Sequence, residues 1–335
     1  MSISRAQGIG VSGVELSVIT PVFNESKNID ALLKRLVPVV MRCVASFEVI
    51  FIDDGSTDDT LERLRTANRE DSRVRALSLS RNFGKEIAIA AGLDHATGAA
   101  TVIMDADLQH PPELIETFVA RWRDGYKNVF AQQIGHNVYN PLRRILTQRF
   151  YKLFGSVGET RLPEGAGDFR LLDSQAASAL QKMQEHARFS KGLYAWIGFK
   201  SIGVPFDAAP RLHGTTKFSY RRLTHLALDG LMSFSTIPLR VWTYIGLATS
   251  ALALTLATFY LVRTLIFGVD VPGYASLIVS ITFFAGVQLL SLGIIGEYIG
   301  RIFAEVKRRP LYLIEERVGF GVLAEEKSFA RMPSG

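Results

Sequence analysis

Short apolar runs alternate with longer amphipathic stretches through the first 130 residues. LSVITP (Leu16–Pro21) begins as an apolar strand and stops at a proline, and FNESKNIDALLKRLVPVV follows with helical spacing and acidic or amide residues at its start. FEVIFIDDGSTDDTLERL repeats the pattern of buried strand, turn, N-cap and helix. VRALSLSRNFG predicts a third strand, KEIAIAAGLDHATG an Ala-rich helix, TVIMDAD a fourth strand and PPELIETFVARWRDG its helix. Strands alternating with helices predict an α/β domain whose mainly parallel sheet is covered on both faces. Ligands in such sheets gather at the carboxyl ends of the strands.

Two later runs have a different pattern. Val241–Val262 is 22 residues without a charge and Val271–Gly296 is 26, each long enough as a helix to span a hydrocarbon core of about 30 Å. Arg221, Arg222 and Arg240 precede the pair; Arg301, Lys307, Arg308 and Arg309 follow it, and the connection RTLIFGVD is short. Under the positive-inside rule both flanks are cytoplasmic. The expectation is therefore a multi-pass protein of the bacterial inner membrane, with its catalytic domain and both termini cytoplasmic. Its parts would be a catalytic domain over 14–219, a juxtamembrane region over 220–240, a hairpin over 241–300 with spans at 241–263 and 272–297, and a tail over 301–335. NPLRRILTQRFYKLF (140–154) and LTHLALDGLMSFS (223–235) read as amphipathic helices. The first either rests on the bilayer surface or packs on the domain.

Composition narrows the function classes. The net charge of +6 is concentrated near the apolar runs, and neither zinc-finger spacing nor an aromatic-plus-basic sheet pattern is present, so nucleic acid is not an expected partner. Cys43 is the single cysteine, which excludes a disulfide framework and a cysteine-based metal site. The opening residues carry no apolar core of the secretory type. Neither GxGxxG after the first strand nor GxxxxGK[ST] occurs, which argues against an NAD-dependent or P-loop enzyme.

Carboxylates cluster where a ligand would sit. Asp53 and Asp54 end the second strand. Asp105 and Asp107 follow the fourth, and if the strand persists that far its period of two puts them on one face. Like charges held together are costly unless a cation lies between them, and a divalent metal commonly brings phosphates with it. Asp168 stands between a Gly-rich turn and an apolar stretch. Arg188, Lys191, Arg211, Lys217, Arg221 and Arg222 lead on towards the apolar runs.

PVFNE, FIDDGSTD, LSRNFGKE, DADLQHPPE, AGDFRLLD, RFSKGLYAWIGF and TKFSYRRL together resemble the polyprenyl-phosphate glycosyltransferases of glycosyltransferase family 2 over roughly residues 14–310. The likeness is nearest to the bactoprenol glucosyltransferase group and more distant to dolichyl-phosphate mannose synthases. It implies a GT-A-type, Rossmann-like domain with juxtamembrane helices and a C-terminal transmembrane hairpin. It also implies an enzyme (EC 2.4.1.-) that moves one sugar from a nucleotide donor to polyprenyl phosphate. The most favoured donor is UDP-glucose, with another UDP- or GDP-sugar as the alternative. The cofactor would be Mg²⁺ or Mn²⁺. The partners would be the UDP-sugar, the lipid, the membrane, other copies in a homo-oligomer such as a tetramer, and a downstream flippase and glycan transferase.

By the same resemblance, Pro21, Phe23, Asn24, Glu25, Asp53, Asp54, Lys85 and Gln109 face the nucleotide. Asp105 and Asp107 handle diphosphate and metal, and Asp168 lies near the reacting centre. Arg188 and Lys191 meet the acceptor phosphate, with Arg143 and Arg144 as further candidates. Two departures stand out. His110 replaces an acidic residue and reads as a neutral histidine near a helix start. Gln132, Gln133 and Asn137 occupy a region where relatives carry arginines. A processive polysaccharide synthase would carry QxxRW and more spanning segments. A non-catalytic scaffold would not be expected to keep Asp54, Asp105, Asp107 and Asp168 together.

Overall fold

The computed structural model of the chain describes residues 13–133, 165–186, 188–206, 237–267 and 273–321. Arg143, Arg144, Arg211, Lys217, Arg221, Arg222, both amphipathic candidates and the last fourteen residues lie outside them. The chain divides into two units: the first includes the N-terminal part and Pro310–Gly335, and the second is chiefly Tyr220–Arg309.

The first unit is built on one eight-stranded sheet. In chain order its strands are β1 (Leu16–Val22), β2 (Phe47–Asp53), β3 (Val74–Leu79), β4 (Ala100–Ile103), β5 (Asn128–Gln133), β6 (Ala166–Asp173), β7 (Ser201–Phe206) and β8 (Ile314–Val318). They lie side by side as β7-β5-β6-β4-β1-β2-β3-β8. β3, β2, β1 and β4 are parallel, whereas β6 is antiparallel to both β4 and β5, and β8 is antiparallel to β3. The apolar runs of β1 and β2 fit this placement: both strands are central, and nearly every residue in them is buried.

The helices α1 (Ser26–Cys43), α2 (Thr60–Glu70), α3 (Lys85–His95) and α4 (Leu114–Arg123) follow the first four strands as expected, and α5 (Ser174–Gln181) and α6 (Ser190–Trp196) come later. Leu32, Leu36 and Val40 of α1, Leu64 of α2 and Phe118 of α4 enter the core with Val18, Phe51 and Phe169 of the sheet. At the amino ends of the strands Glu48, 1% exposed, is fully engaged: Ser17 Oγ (2.6 Å), Thr97 N (2.8 Å) and Thr97 Oγ1 (2.7 Å) donate to it, and Arg75 pairs with it at 2.8 Å. That end of the sheet is closed and structural.

The second unit contains two long helices, α7 (Ile237–Phe267) and α8 (Tyr274–Val306). Here the expectation of a multi-pass membrane architecture is corrected. Among the described residues one stretch, Phe283–Val306, has the length and mean hydropathy (1.4) to cross a membrane. The other apolar stretch among them, Tyr244–Leu256, is shorter. The larger part of the described chain is instead a layered α/β unit with an apolar core. A two-helix transmembrane hairpin is therefore not established.

Candidate active site

Four turns, one after each parallel strand, meet at the carboxyl edge of the sheet. The first two are tied together. Asn24 takes φ +56°, a conformation Asn tolerates better than most residues. Its Oδ1 accepts from Thr57 N (2.8 Å), its own N–H donates to Ser56 Oγ (2.9 Å), and Glu25 N donates to Thr60 Oγ1 (3.0 Å). Pro21 is the penultimate residue of β1, and Phe23 is left 41% exposed on the rim.

The second turn is tied to the third. Asp53 accepts from Ser56 N and Ser78 Oγ, both at 3.0 Å. Both oxygens of Asp54 accept backbone amides, from Phe83 N (2.7 Å) and Gly84 N (2.8 Å). Burial raises the Asp54 carboxyl above its ordinary range, and these two amides oppose the rise. Gly55, at φ +71°, has no room for a side chain, since a Cβ there would lie 2.5 Å from the backbone of Arg81.

The third turn delivers Lys85, whose ammonium bridges Asp105 (2.7 Å) and Asp168 (2.9 Å). Residues far apart in sequence thus form one charge cluster. Burial would lower the Lys85 pKa, but Asp168 and Asp105 outweigh it and push the ammonium above its ordinary value. Burial alone would raise Asp168, but Lys85 and then Lys191 hold it well below the usual carboxylate range. Asp168 Oδ1 is buried and has no hydrogen-bond partner among the described residues. In contrast to Glu48, it is a carboxylate oxygen left available.

Asp105 and Asp107 are not presented by strand periodicity, because β4 ends at Ile103 and both lie in the turn that follows. Leu108 has φ +55° there, and Gln109 N donates to Asp107 Oδ1 at 3.1 Å. Their oxygen donors suit a hard divalent cation such as Mg²⁺ or Mn²⁺. Among the described residues no group of three or more His, Cys, Asp or Glu is placed to hold a metal. Two carboxylates completed by phosphate oxygens are the arrangement usual for Mg²⁺. His110 packs against Phe169 and Phe206, with ring centroids 5.3 and 5.5 Å away, and burial lowers its pKa against the pull of Asp105 and Asp107.

Lys191 lies on α6. Arg188 precedes that helix, and its guanidinium donates to Met183 O at 2.6 Å. The two are therefore neighbours on a loop and a helix start, not on a single helical turn. Three further residues, not singled out in the sequence, belong to the cluster. Arg170 shares a β6 face with Asp168, two residues away, is 2% exposed, and stacks 3.5 Å from the Tyr194 ring centre. Glu86 follows Lys85 and binds Ser190. The period of two in GDFRLLD was the available signal for Arg170. Nothing local pointed to Glu86 or Tyr194.

The glycosyl transferase family 2 model matches residues 17–180. An uncharacterized glycosyltransferase of Synechocystis sp. is 46% identical over 314 residues, covering 94% of this chain and 99% of that protein. The chain belongs to glycosyl transferase family 2. Within it, the chain is similar to the bactoprenol glucosyl transferase of Shigella phage SfII, at 40% identity over 303 residues, 90% of this chain and 98% of that protein. Glucosyl-3-phosphoglycerate synthase of Mycobacterium tuberculosis, solved with Mn²⁺, UDP and phosphoglyceric acid, aligns with a TM-score of 0.46 at 18% identity. That alignment covers 66% of this chain and 77% of that one, too loose a match to carry an argument.

Proposed function

We propose that this glycosyltransferase transfers glucose from UDP-glucose to a polyprenyl phosphate, with inversion at the anomeric carbon. The observation that carries the reading is the cluster in which Lys85 joins Asp105 to Asp168 at the carboxyl edge of the sheet. Support comes from the similarity, over nearly the whole chain, to a protein named for bactoprenol glucosyl transfer.

The chain's own groups divide the work. The rim of Pro21, Phe23, Asn24 and Glu25, with Asp53, Asp54 and Gln109, shapes the nucleotide site. Asp105 and Asp107 would hold Mg²⁺ or Mn²⁺, which supplies positive charge against the leaving diphosphate. Lys85 adds a fixed cation at the same place. An acceptor phosphate oxygen forms the new bond to the anomeric carbon, and the bond to UDP breaks, the electron pair leaving with UDP. The acceptor needs little help from a base, because a phosphate monoester with a second pKa of about 6 is mostly ionised at neutral pH. Asp168 agrees with this: held below the usual carboxylate range, it is a poor proton acceptor, and its unpartnered Oδ1 is suited to orienting a bound group. Arg188 and Lys191 would face the acceptor phosphate.

The test is Asp107→Ala in the full chain. Transfer should fall by about 10²-fold or more with the melting temperature unchanged, and EDTA should abolish wild-type transfer until Mg²⁺ or Mn²⁺ is returned. Full activity of the variant, or of metal-stripped wild type, would overturn the assignment of this pair.

A further inference from the structure

Donor and acceptor residues occupy different segments, and one side chain ties the segments together. Glu86 is the second residue of α3, directly after Lys85 and two residues beyond the Gly84 amide that Asp54 holds. Its Oε2 receives two donors from Ser190: the backbone N–H at 3.2 Å and the hydroxyl in a short contact. Ser190 is 3% exposed and opens α6, and the next residue is Lys191. The loop before it carries Arg188, fixed to Met183 O. The start of the acceptor-side helix is thus held by a carboxylate from the donor-side turn, 104 positions away in sequence.

Nothing in the mechanism above uses Glu86. It sits close enough to Asp168 for the two charges to oppose each other; burial first, and that repulsion second, raise its carboxyl above the ordinary range. A carboxyl kept at such a cost has to be held in place, and the two Ser190 donors hold it. A shift of the Phe83–Lys85 turn when a nucleotide binds would carry Glu86 with it, and Ser190 and Lys191 would follow.

We propose that Glu86, through Ser190, is a positioning residue that couples occupancy of the donor site to affinity for the acceptor phosphate. This rests on the reading of Arg188 and Lys191 as the acceptor-phosphate residues. Coupling of this kind is reciprocal, so it can be measured as binding as well as turnover.

The experiment uses full-length protein in detergent, with acceptor kinetics on undecaprenyl phosphate and calorimetry with UDP and a short-chain polyprenyl phosphate. Glu86→Ala should raise the acceptor KM about tenfold while UDP affinity stays within about twofold, the effect of losing coupling of about 1.4 kcal/mol. Ser190→Ala, which keeps the backbone donor, should move in the same direction by less. Glu86→Gln keeps an oxygen acceptor for Ser190 and should recover most of the loss. In wild type, UDP should tighten binding of the short-chain lipid, and in Glu86→Ala it should not. An unchanged acceptor KM in both Glu86→Ala and Ser190→Ala, an equal loss of UDP affinity, or a Glu86→Gln variant no better than Glu86→Ala would each overturn the coupling. Failure of wild type to use undecaprenyl phosphate would instead sink the functional reading on which it rests.

Discussion

Both oxygens of Asp54 receive backbone amides, so this side chain fixes the turn that ends in Lys85. Asp54→Asn would leave one amide facing an NH₂ group, a loss of about 1.5–3 kcal/mol for a bond to a charged acceptor. UDP affinity should fall by about tenfold or more in calorimetry, with far-UV circular dichroism unchanged. Asp168 gives a pH prediction. Its folded pKa is depressed, so it remains ionised at every pH from about 4 upward and contributes no limb near neutrality. The acceptor phosphate gains a proton below about pH 6, so kcat/KM for the acceptor should fall as pH falls through that value. Asp168→Asn should lower the whole profile without moving its midpoint. A midpoint that moved with this substitution would make Asp168 the titrating base. The residue types at these positions were legible in the sequence, since strand-end carboxylates and NFGKE marked them. Their pairing was not: Asp168 joins Lys85 and Asp105 because β6 inserts antiparallel beside β4.

At the scale of elements, the four parallel strands were readable because burial on both faces writes them as mostly apolar runs. β8 was not. IEERV has charged residues at three of its five positions and lies beyond the last apolar run, yet it completes the sheet edge on β3. Tertiary partners supply what its pattern lacks. Arg65 grips Glu316 through two nitrogens (2.9 and 2.5 Å), Ser80 N donates to Leu313 O (2.9 Å), and Tyr312 Oη donates to Asp94 (3.0 Å). Ser80 immediately precedes the turn that Asp54 holds, so this edge supports the donor side. Gly319 just after β8 has φ +78°, and a Cβ there would lie 2.4 Å from Asn68 Nδ2. Gly319→Ala should cost about 1–3 kcal/mol, read as a lower midpoint in denaturant unfolding. A neutral result would mean that the C-terminal strand is not docked as described.

For the molecule as a whole, composition over-reported membrane character. Two uncharged runs suggested a hairpin, but among the described residues one stretch, Phe283–Val306, meets the requirement for a span. Lipid chemistry therefore has to be argued from the site and from family membership. The site supplies a depressed carboxylate, a bridging lysine and oxygen donors suited to a divalent cation, arranged to transfer a sugar to an acceptor that is already ionised. The most direct measurement is transfer by purified protein from radiolabelled UDP-glucose to undecaprenyl phosphate, with other UDP- and GDP-sugars in parallel. The account predicts a metal-dependent, solvent-extractable glucosyl lipid that is formed from UDP-glucose and absent without the polyprenyl phosphate. Release of free glucose at the same rate without lipid, or label built into a polymer, would contradict it.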